Sequence, residues 1–446
     1  MSPAQKRFFA IHRRAPEHFN HAVLIERVSG FDRARLQDAL TRLTAAHDVF
    51  RLRFPMRGGA RAAVLDHRAP PIALADHDLR GAARPWQELA RHGDDLHRSL
   101  DLGNGPLWRA GLFTLDQGQV LGLIMHHLLT DGVSWRILLT QLGAVYSALE
   151  SGAAPPELAL NAPFTVWTQA MQKRAESPEI AGEVDYWTRV TAGVTGTITN
   201  TAASSPSRDA ASESQAKSVE VNAILGSDRL AQANRAYGSN TEELLLAALA
   251  GALHEVRGAS EWVICLEGHG RDGVPCDLPI EQTVGWFTAI YPFRLQANPG
   301  RDLGYRIKHV KESLRNVPHR GQSYGLLHYG ADATDAVQDV EPEISFNFLG
   351  ELDSGLGEHE LRLVPRSLGE DVSPHCEREF PLQFAGSVLD RSLQLGVTYS
   401  ETVIDAATVD ALCSAWRAHL DRVIEHCIAR EAPELTPSDL TYSDLS

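Results

Sequence analysis

Long apolar runs are missing from this 446-residue sequence. No stretch of about 18 apolar residues occurs, which excludes an ordinary membrane-spanning helix. Cysteine is scarce: Cys265, Cys276, Cys376, Cys413 and Cys427 are the full set, and no two form a CxxC pair. That spacing argues against a disulfide framework or a zinc site, and reads as the reduced thiols of a cytoplasmic protein. The N-terminal stretch MSPAQKRFFAIHRRAPEHF is charged and lacks the apolar core of a secretory signal. Positive charge is in deficit, with 42 Lys+Arg against 57 Asp+Glu and a net charge of −15. A field of that sign disfavours nucleic acid and anionic membrane as partners, while leaving room for a local basic patch that meets an acidic protein. No period of about 20–50 residues recurs, so a solenoid is excluded.

What is present is an ordinary globular composition, 43% hydrophobic and 22% charged, on a chain long enough for one large two-lobed unit. The first half alternates helix and strand signals. Leu36, Ala39, Leu40 and Leu43 mark a helix over Ala34–Ala46. HDVFRLRF follows with strand-like alternation, and VLGLIM (Val120–Met125) suits a central strand buried on both faces. A helix begins beyond Gly132, with Trp135, Leu138, Leu139, Leu142, Tyr146 and Leu149 on one face. The second half repeats the pattern: a helix over Asn240–Val256, strands at Trp262–Glu267, in GWFTAIYPFRL and at Glu343–Gly350, and a helix over Thr408–Ala429. Between them Thr191–Ala216 is small and polar, and reads as an exposed loop or linker. The lobe boundary is expected near residue 175, giving lobes 1–175 and 176–446.

Two strings carry the chemistry. In HHLLTDGVSW (His126–Trp135) the adjacent histidines of a strand point to opposite faces, so they cannot both chelate one metal ion. One imidazole is expected to be packed and hydrogen-bonded, the other to reach a cavity. Asp131 reads either as N-cap of the Gly132 helix or as partner of a buried arginine. The second string, EGHGR (Glu267–Arg271), contains GxGxxG in GHGRDG, but Val274, Pro275 and Pro279 break any helix that would face a pyrophosphate. No dinucleotide site follows.

HHxxxDG resembles the signature of condensation-type domains of nonribosomal peptide synthetases, which share the chloramphenicol-acetyltransferase-like fold. DGVSWRILL, EGHGR, TVGWFTAIYP (Thr283–Pro292), VKESLRNVPHRGQSYGLL (Val310–Leu327) and ISFNFLG (Ile344–Gly350) look like the epimerization branch of that family. The resemblance implies an α/β (α+β) fold of two such lobes forming a pseudo-dimer, with the active site in a tunnel between them. It implies inversion of the Cα of an aminoacyl or peptidyl thioester, carried on the phosphopantetheine of a peptidyl carrier protein. His127 and Glu267 would be the catalytic pair, supported by His126, Asp131, Gly132, Trp135, His269, Arg271, Asn347 and Phe348. No lysine pattern suggests pyridoxal phosphate, so no organic cofactor and no metal is expected in the domain itself. Neighbouring synthetase domains are the implied partners. MSPAQKRFF and LTPSDL (Leu435–Leu440) look like the family's domain limits, so an excised domain is expected.

Two departures from the family stand out: Glu281-Gln282 replaces the usual Ser-Arg, and Phe348 replaces a tyrosine. Two other readings stay open: a condensation domain that joins two carrier-bound substrates, and a catalytically silent carrier-docking module.

Overall fold

Two mixed sheets, each flanked by helices, organise the chain. The computed structural model describes residues 1–440 apart from 68–71, 159–160, 195, 200–213, 220–225, 274–276, 331–341 and 354. The strands that matter are β1 (Asn20–Arg27), β2 (Leu74–Asp78), β3 (Trp108–Leu115), β4 (Gly118–His126), β5 (Ser214–Val219), β6 (Glu261–Gly268), β7 (Ala289–Gln296), β8 (Ile344–Glu351), β9 (Leu361–Leu363), β10 (Leu382–Leu389) and β11 (Ser392–Ser400). The first sheet is ordered β9-β1-β4-β3-β2 and the second β7-β6-β8-β10-β11-β5.

Strand β4 lies at the centre of the first sheet, antiparallel to both β1 and β3. Its alternate residues enter different cores. Leu121, Leu123 and Met125 join the main cluster, whereas Val120 and Ile124 join a smaller one with Phe113 and Leu368. Burial on both faces is what the unbroken apolar run VLGLIM provides.

Helix α1 (Pro3–Ile11) opens with a capping box between Ser2 and Gln5. The Gln5 side chain also donates to the Leu128 carbonyl at 2.8 Å, tying α1 to the loop after β4. Helix α2 (Arg33–Ala46) packs against α3 (Gly132–Ser151), whose buried stripe includes Trp135, Leu138, Leu139, Leu142 and Tyr146. Helix α4 (Phe164–Ala175) follows in the first half. Helix α5 (Thr241–Arg257), with its Asn240/Glu243 capping box, packs on α7 (Ala406–Ile428); α6 (Gln322–Tyr329) lies against α1 and β7. Among the described residues no helix is long and apolar enough to cross a membrane.

The structure corrects several expectations. HDVFRLRF is not one strand: Asp48–Arg51 is a 3-10 turn and only Leu52–Arg53 is extended. Asp48 turns the chain by accepting the Phe164 and Thr165 N–H groups, both at 3.0 Å. Arg53 faces inward onto the carbonyls of Phe50, Leu52 and Asn104, so its place in the alternation does not mean solvent. In GWFTAIYPFRL the strand begins only at Ala289, because Gly285 and Phe287 spend their N–H groups on side chains of the other lobe.

The stretch Thr191–Ala216 is not uniformly a linker, and residues 200–213 of it lie outside the described residues. Thr191 ends a helix, Ile198 is fully buried, and Ser214–Ala216 pair with β11. Glu343 accepts from both Thr197 and Thr199 hydroxyls and from the Ile198 and Thr199 N–H groups. One buried isoleucine with a half-buried carboxylate to hold its flanks is enough to anchor a polar segment. Glu343→Ala is therefore expected to cost about 1–3 kcal/mol and to open the 191–199 stretch to protease. Limited proteolysis with the cut sites mapped by mass spectrometry checks this; an unchanged cleavage pattern would count against the anchor.

Candidate active site

The two histidines at the end of β4 have different surroundings. His126 is fully buried, with both ring nitrogens used: Nε2 donates to the Pro16 carbonyl at 2.8 Å and Nδ1 accepts from the Leu128 N–H at 3.1 Å. Burial drives its pKa down to about 3. His127 is only half-buried, and its Nδ1 lies 2.9 Å from the Thr130 carbonyl. A carbonyl can only accept, so the neutral ring carries its proton on Nδ1 and presents a lone pair at Nε2. Burial also lowers the His127 pKa, with hydrogen bonds to backbone and the charges of Glu379 and Asp131 opposing it. The ring is flanked by Trp286 at 4.2 Å and by His21 at 3.8 Å, both tilted to it, and Phe19 stacks on it at 5.7 Å.

Asp131 combines both of its candidate roles. Oδ1 accepts from the Ser134 N–H at 2.8 Å as N-cap of α3, and also lies 3.4 Å from Nη2 of Arg271. Oδ2 accepts from the Phe287 N–H at 3.0 Å. Arg271 donates further to the Ile280 and Thr283 carbonyls and to the Ser134 hydroxyl, and its guanidinium lies 4.0 Å over the Phe287 ring. Ser134 completes the junction by bonding both the N–H and the carbonyl of Gly285. Gly132 is the first residue of α3, and Trp135 is buried in the helix's packed face.

Glu267 lies near the end of β6, half-buried, and accepts from Nδ2 of Asn347 on the neighbouring β8 at 2.8 Å. Burial pushes its carboxyl up to about 7; the charge of Glu379 acts in the same direction and that of Arg7 against it. The EGHGR loop turns sharply at Gly270, whose φ is +65° and where an added Cβ would sit 1.8 Å from the Phe287 carbonyl oxygen. Only glycine fits that approach.

Two residues of the expected set do not join the pair. His269 is exposed and faces Asp272 at 3.4 Å. Phe348 leans over Gly386 toward Leu245 on the helix-covered face of the sheet, whereas Asn347, one residue earlier, meets Glu267. The absent tyrosine hydroxyl thus lies on the other face from Glu267. Glu281 and Gln282 are exposed; the loop grips Arg271 through the carbonyls on either side of them.

Three residues that the motifs did not mark belong here. Glu379 accepts from Arg7 at 2.7 Å and from Nε2 of His12 at 2.9 Å. Beside Arg7, a cavity between α1, α4 and α6 is walled by Trp167, Met171, Phe287, Ile290 and Leu326. Ile290 is the register partner of Glu267. The only sequence signal for Glu379 is a carboxylate in CEREF, an otherwise unremarked string.

The whole chain, residues 1–446, matches the condensation-domain family. The chain belongs to that family. Surfactin synthase subunit 1 of Bacillus subtilis (strain 168) is 32% identical over 460 residues, and Tyrocidine synthase 2 of Brevibacillus parabrevis is 33% identical over 462. Both comparisons cover 100% of this chain and 12% of the relative, so this condensation-family chain spans a small part of those synthetases. Among solved structures, the epimerization domain from the third module of tyrocidine synthetase B superposes with a TM-score of 0.89 at 30% identity, over 96% of both chains. The first condensation domain of the CDA synthetase superposes with a TM-score of 0.74 at 20% identity, over 96% of both chains, a likeness of fold. The two-lobed α/β architecture is thus that of the condensation family.

The contrast between the histidines is measurable. His126→Ala strands the Pro16 carbonyl and the Leu128 N–H in the core, and is expected to cost about 3 kcal/mol. His127→Ala loses one bond at a half-buried site, and is expected to cost under about 1.5 kcal/mol. Urea unfolding of both variants decides, and equal losses would contradict this division.

Proposed function

We propose that this condensation-family domain epimerizes the Cα of an aminoacyl or peptidyl thioester presented on the phosphopantetheine of a carrier protein. The observation that carries the reading is Glu267. It is a carboxyl at the end of β6, where the EGHGR string begins, with its pKa pushed to about 7, while the Nε2 lone pair of His127 lies just after β4 of the other sheet. A group poised near neutrality is what acid–base work at Cα requires. The higher structural similarity to an epimerization domain than to a condensation domain supports the same choice.

Sulfur donates weakly into a thioester carbonyl, so the Cα–H is acidic in the manner of a ketone. In one direction the Nε2 lone pair of His127 takes the Cα proton, and the C–H electron pair moves into the carbonyl to give an enolate. The protonated carboxyl of Glu267 then delivers its proton to the opposite face, and the electron pair returns to Cα. His127 ends protonated and Glu267 ionised; in the reverse direction the two exchange roles. Asn347 orients the Glu267 carboxyl. Two sources could donate to the enolate oxygen, the Gly132 and Val133 N–H groups of the first turn of α3 and the Asn347 amide. Tethering raises the local substrate concentration, so weak carrier affinity suffices. Neighbouring synthetase domains, and a carrier among them, are the partners this reading requires.

Glu267→Gln keeps the shape but cannot exchange a proton, and is expected to lower epimerization by about 10²–10⁴ with folding intact. The assay is Cα-deuterium washout together with epimer ratio on carrier-loaded substrate, and equilibration of both epimers at close to the parent rate would sink the reading. Peptide-bond formation when donor and acceptor carriers are supplied together would instead select condensation; neither activity would leave a docking module. In the direction where Glu267 donates, the rate is expected to hold below pH 7, where the carboxyl keeps its proton. Above pH 7 it should fall about tenfold per pH unit. A rate that is flat from pH 6 to pH 9 would contradict the assignment.

A further inference from the structure

We propose that Glu379 is a positioning residue for the His127–Glu267 pair: its buried carboxylate, gripped by Arg7 and His12, fixes the electrostatic potential that both groups experience. The proposal rests on the acid–base reading above and gives it a source of control outside the pair.

A short chain of contacts links Glu379 to both groups through Arg7 and His12. Its two partners sit on or just after α1, and α1 touches each side of the site. On one side the Phe8 ring lies 5.6 Å from His126 and 6.2 Å from Trp286, whose ring is 4.2 Å from that of His127. Phe19 bridges His12, at 4.5 Å, to His127, at 5.7 Å. On the other side Arg7 lines the cavity whose wall Ile290 is paired with Glu267. One aromatic ring therefore separates the His12 end of the cluster from His127, and the Arg7 end borders the strand next to Glu267.

The cluster is built to hold a fixed charge. Glu379 and Arg7 side chains are 16% and 14% exposed, and that of His12 is 0% exposed. The His12 Nδ1 is buried with no hydrogen-bond partner, so the ring proton belongs on Nε2, facing the carboxylate. Burial opposes ionisation of Glu379, but Arg7 and His12 outweigh it and hold the carboxyl well below the usual range. Arg7 in turn is raised, because Glu379 outweighs its burial. The flanking residues point elsewhere: Glu377 accepts from the Arg13 and Arg14 N–H groups, and Arg378 donates to the Phe380 and Tyr399 carbonyls. Cys265 on β6, Tyr329 on α6, His21 on β1, and His126 and Asp131 beside His127 complete the titratable groups around the three residues.

The sign follows from Coulomb's law. A fixed anion favours the protonated form of any neighbour, so it makes His127 a stronger base and lets Glu267 keep its proton at neutral pH. A single charge several ångströms away through a half-wet interior moves such equilibria by about one pH unit. Arg7, which lines the cavity, acts on Glu267 in the opposite sense.

The experiment uses the whole chain with Glu379→Gln, whose amide oxygen can still accept from Arg7 while its NH2 donates to His12 Nε2 once that ring shifts its proton to Nδ1. Both limbs of the pH profile for Cα exchange are expected to move about one unit toward acid, translating the profile without simply lowering it. Arg7→Gln is expected to move the Glu267 limb the other way. A readout independent of turnover is the titration of His127 by NMR with ring-labelled histidine, assigned by difference from His127→Gln; its midpoint should fall in Glu379→Gln. Limbs and midpoint that stay in place, with only the height of the profile reduced, would overturn the proposal, as would limbs that move in the same direction in both variants. If Glu379→Gln does not fold, the direction of the Arg7→Gln limb decides. If the parent chain shows no Cα exchange, the function fails, while the NMR midpoint still decides the role of Glu379.

Discussion

The contact between Asp131 and Arg271 is the constraint on which the site depends. It joins the loop after β4 to the loop after β6, so it fixes one sheet's functional loop against the other's. A buried ion pair of this kind adds little net stability, because both charges give up water, yet removing one partner strands the other at a cost of about 3–5 kcal/mol. Its value here is registration. Asp131 holds the Phe287 N–H while Arg271 holds the Ile280 and Thr283 carbonyls, so the intervening chain is pinned at both ends. Trp286 sits between those fixed points, with its ring 4.2 Å from His127 and tilted by 30°.

A second constraint runs the other way, from the later part of the chain into the first sheet. Leu361–Leu363 pairs with β1, Leu368 fills the smaller core beside Phe113 and Ile124, and Val372 bridges to Phe19. The same segment then brings Glu377 to the end of α1 and Glu379 to Arg7 and His12. Structural attachment and site electrostatics are therefore properties of one stretch of chain. Gly93 shows how closely the segment is fitted: a Cβ there would meet the Leu368 carbonyl at 1.7 Å.

The elements that bury a regular face were legible in the sequence. Helical spacing in α2, α3, α5 and α7, and the apolar runs of β4 and β6, announced themselves because each satisfies one period against one core. What failed to show was pairing set by distant partners. Nothing in CEREF indicates that Glu379 meets Arg7 some 370 residues earlier, and nothing in HDVFRLRF says that Asp48 will cap Phe164. The strand alternation that seemed to start in GWFT is overridden by two N–H groups bonded across the lobes. For the site, the strings led to His127, Glu267, Asn347 and Arg271, whereas the faces of His269 and Phe348 depend on a turn and a sheet side that spacing alone does not encode.

The pairing of β1 with β9 also bears on how the chain is made. Arg27 meets Leu361 across about 330 residues, so the outer edge of β1 waits for its partner while most of the chain is synthesised. At ordinary translation rates that wait lasts roughly 20–70 s. During it the hydrogen-bonding groups along Ile25–Arg27 face solvent as an open edge, the kind of surface that templates pairing with another chain. The strands around β4 are all made within the first 126 residues, whereas the edge of the first sheet is completed by residues 361–363. Until Leu361–Leu363 emerges, that edge of β1 is left without the partner that covers it in the finished fold.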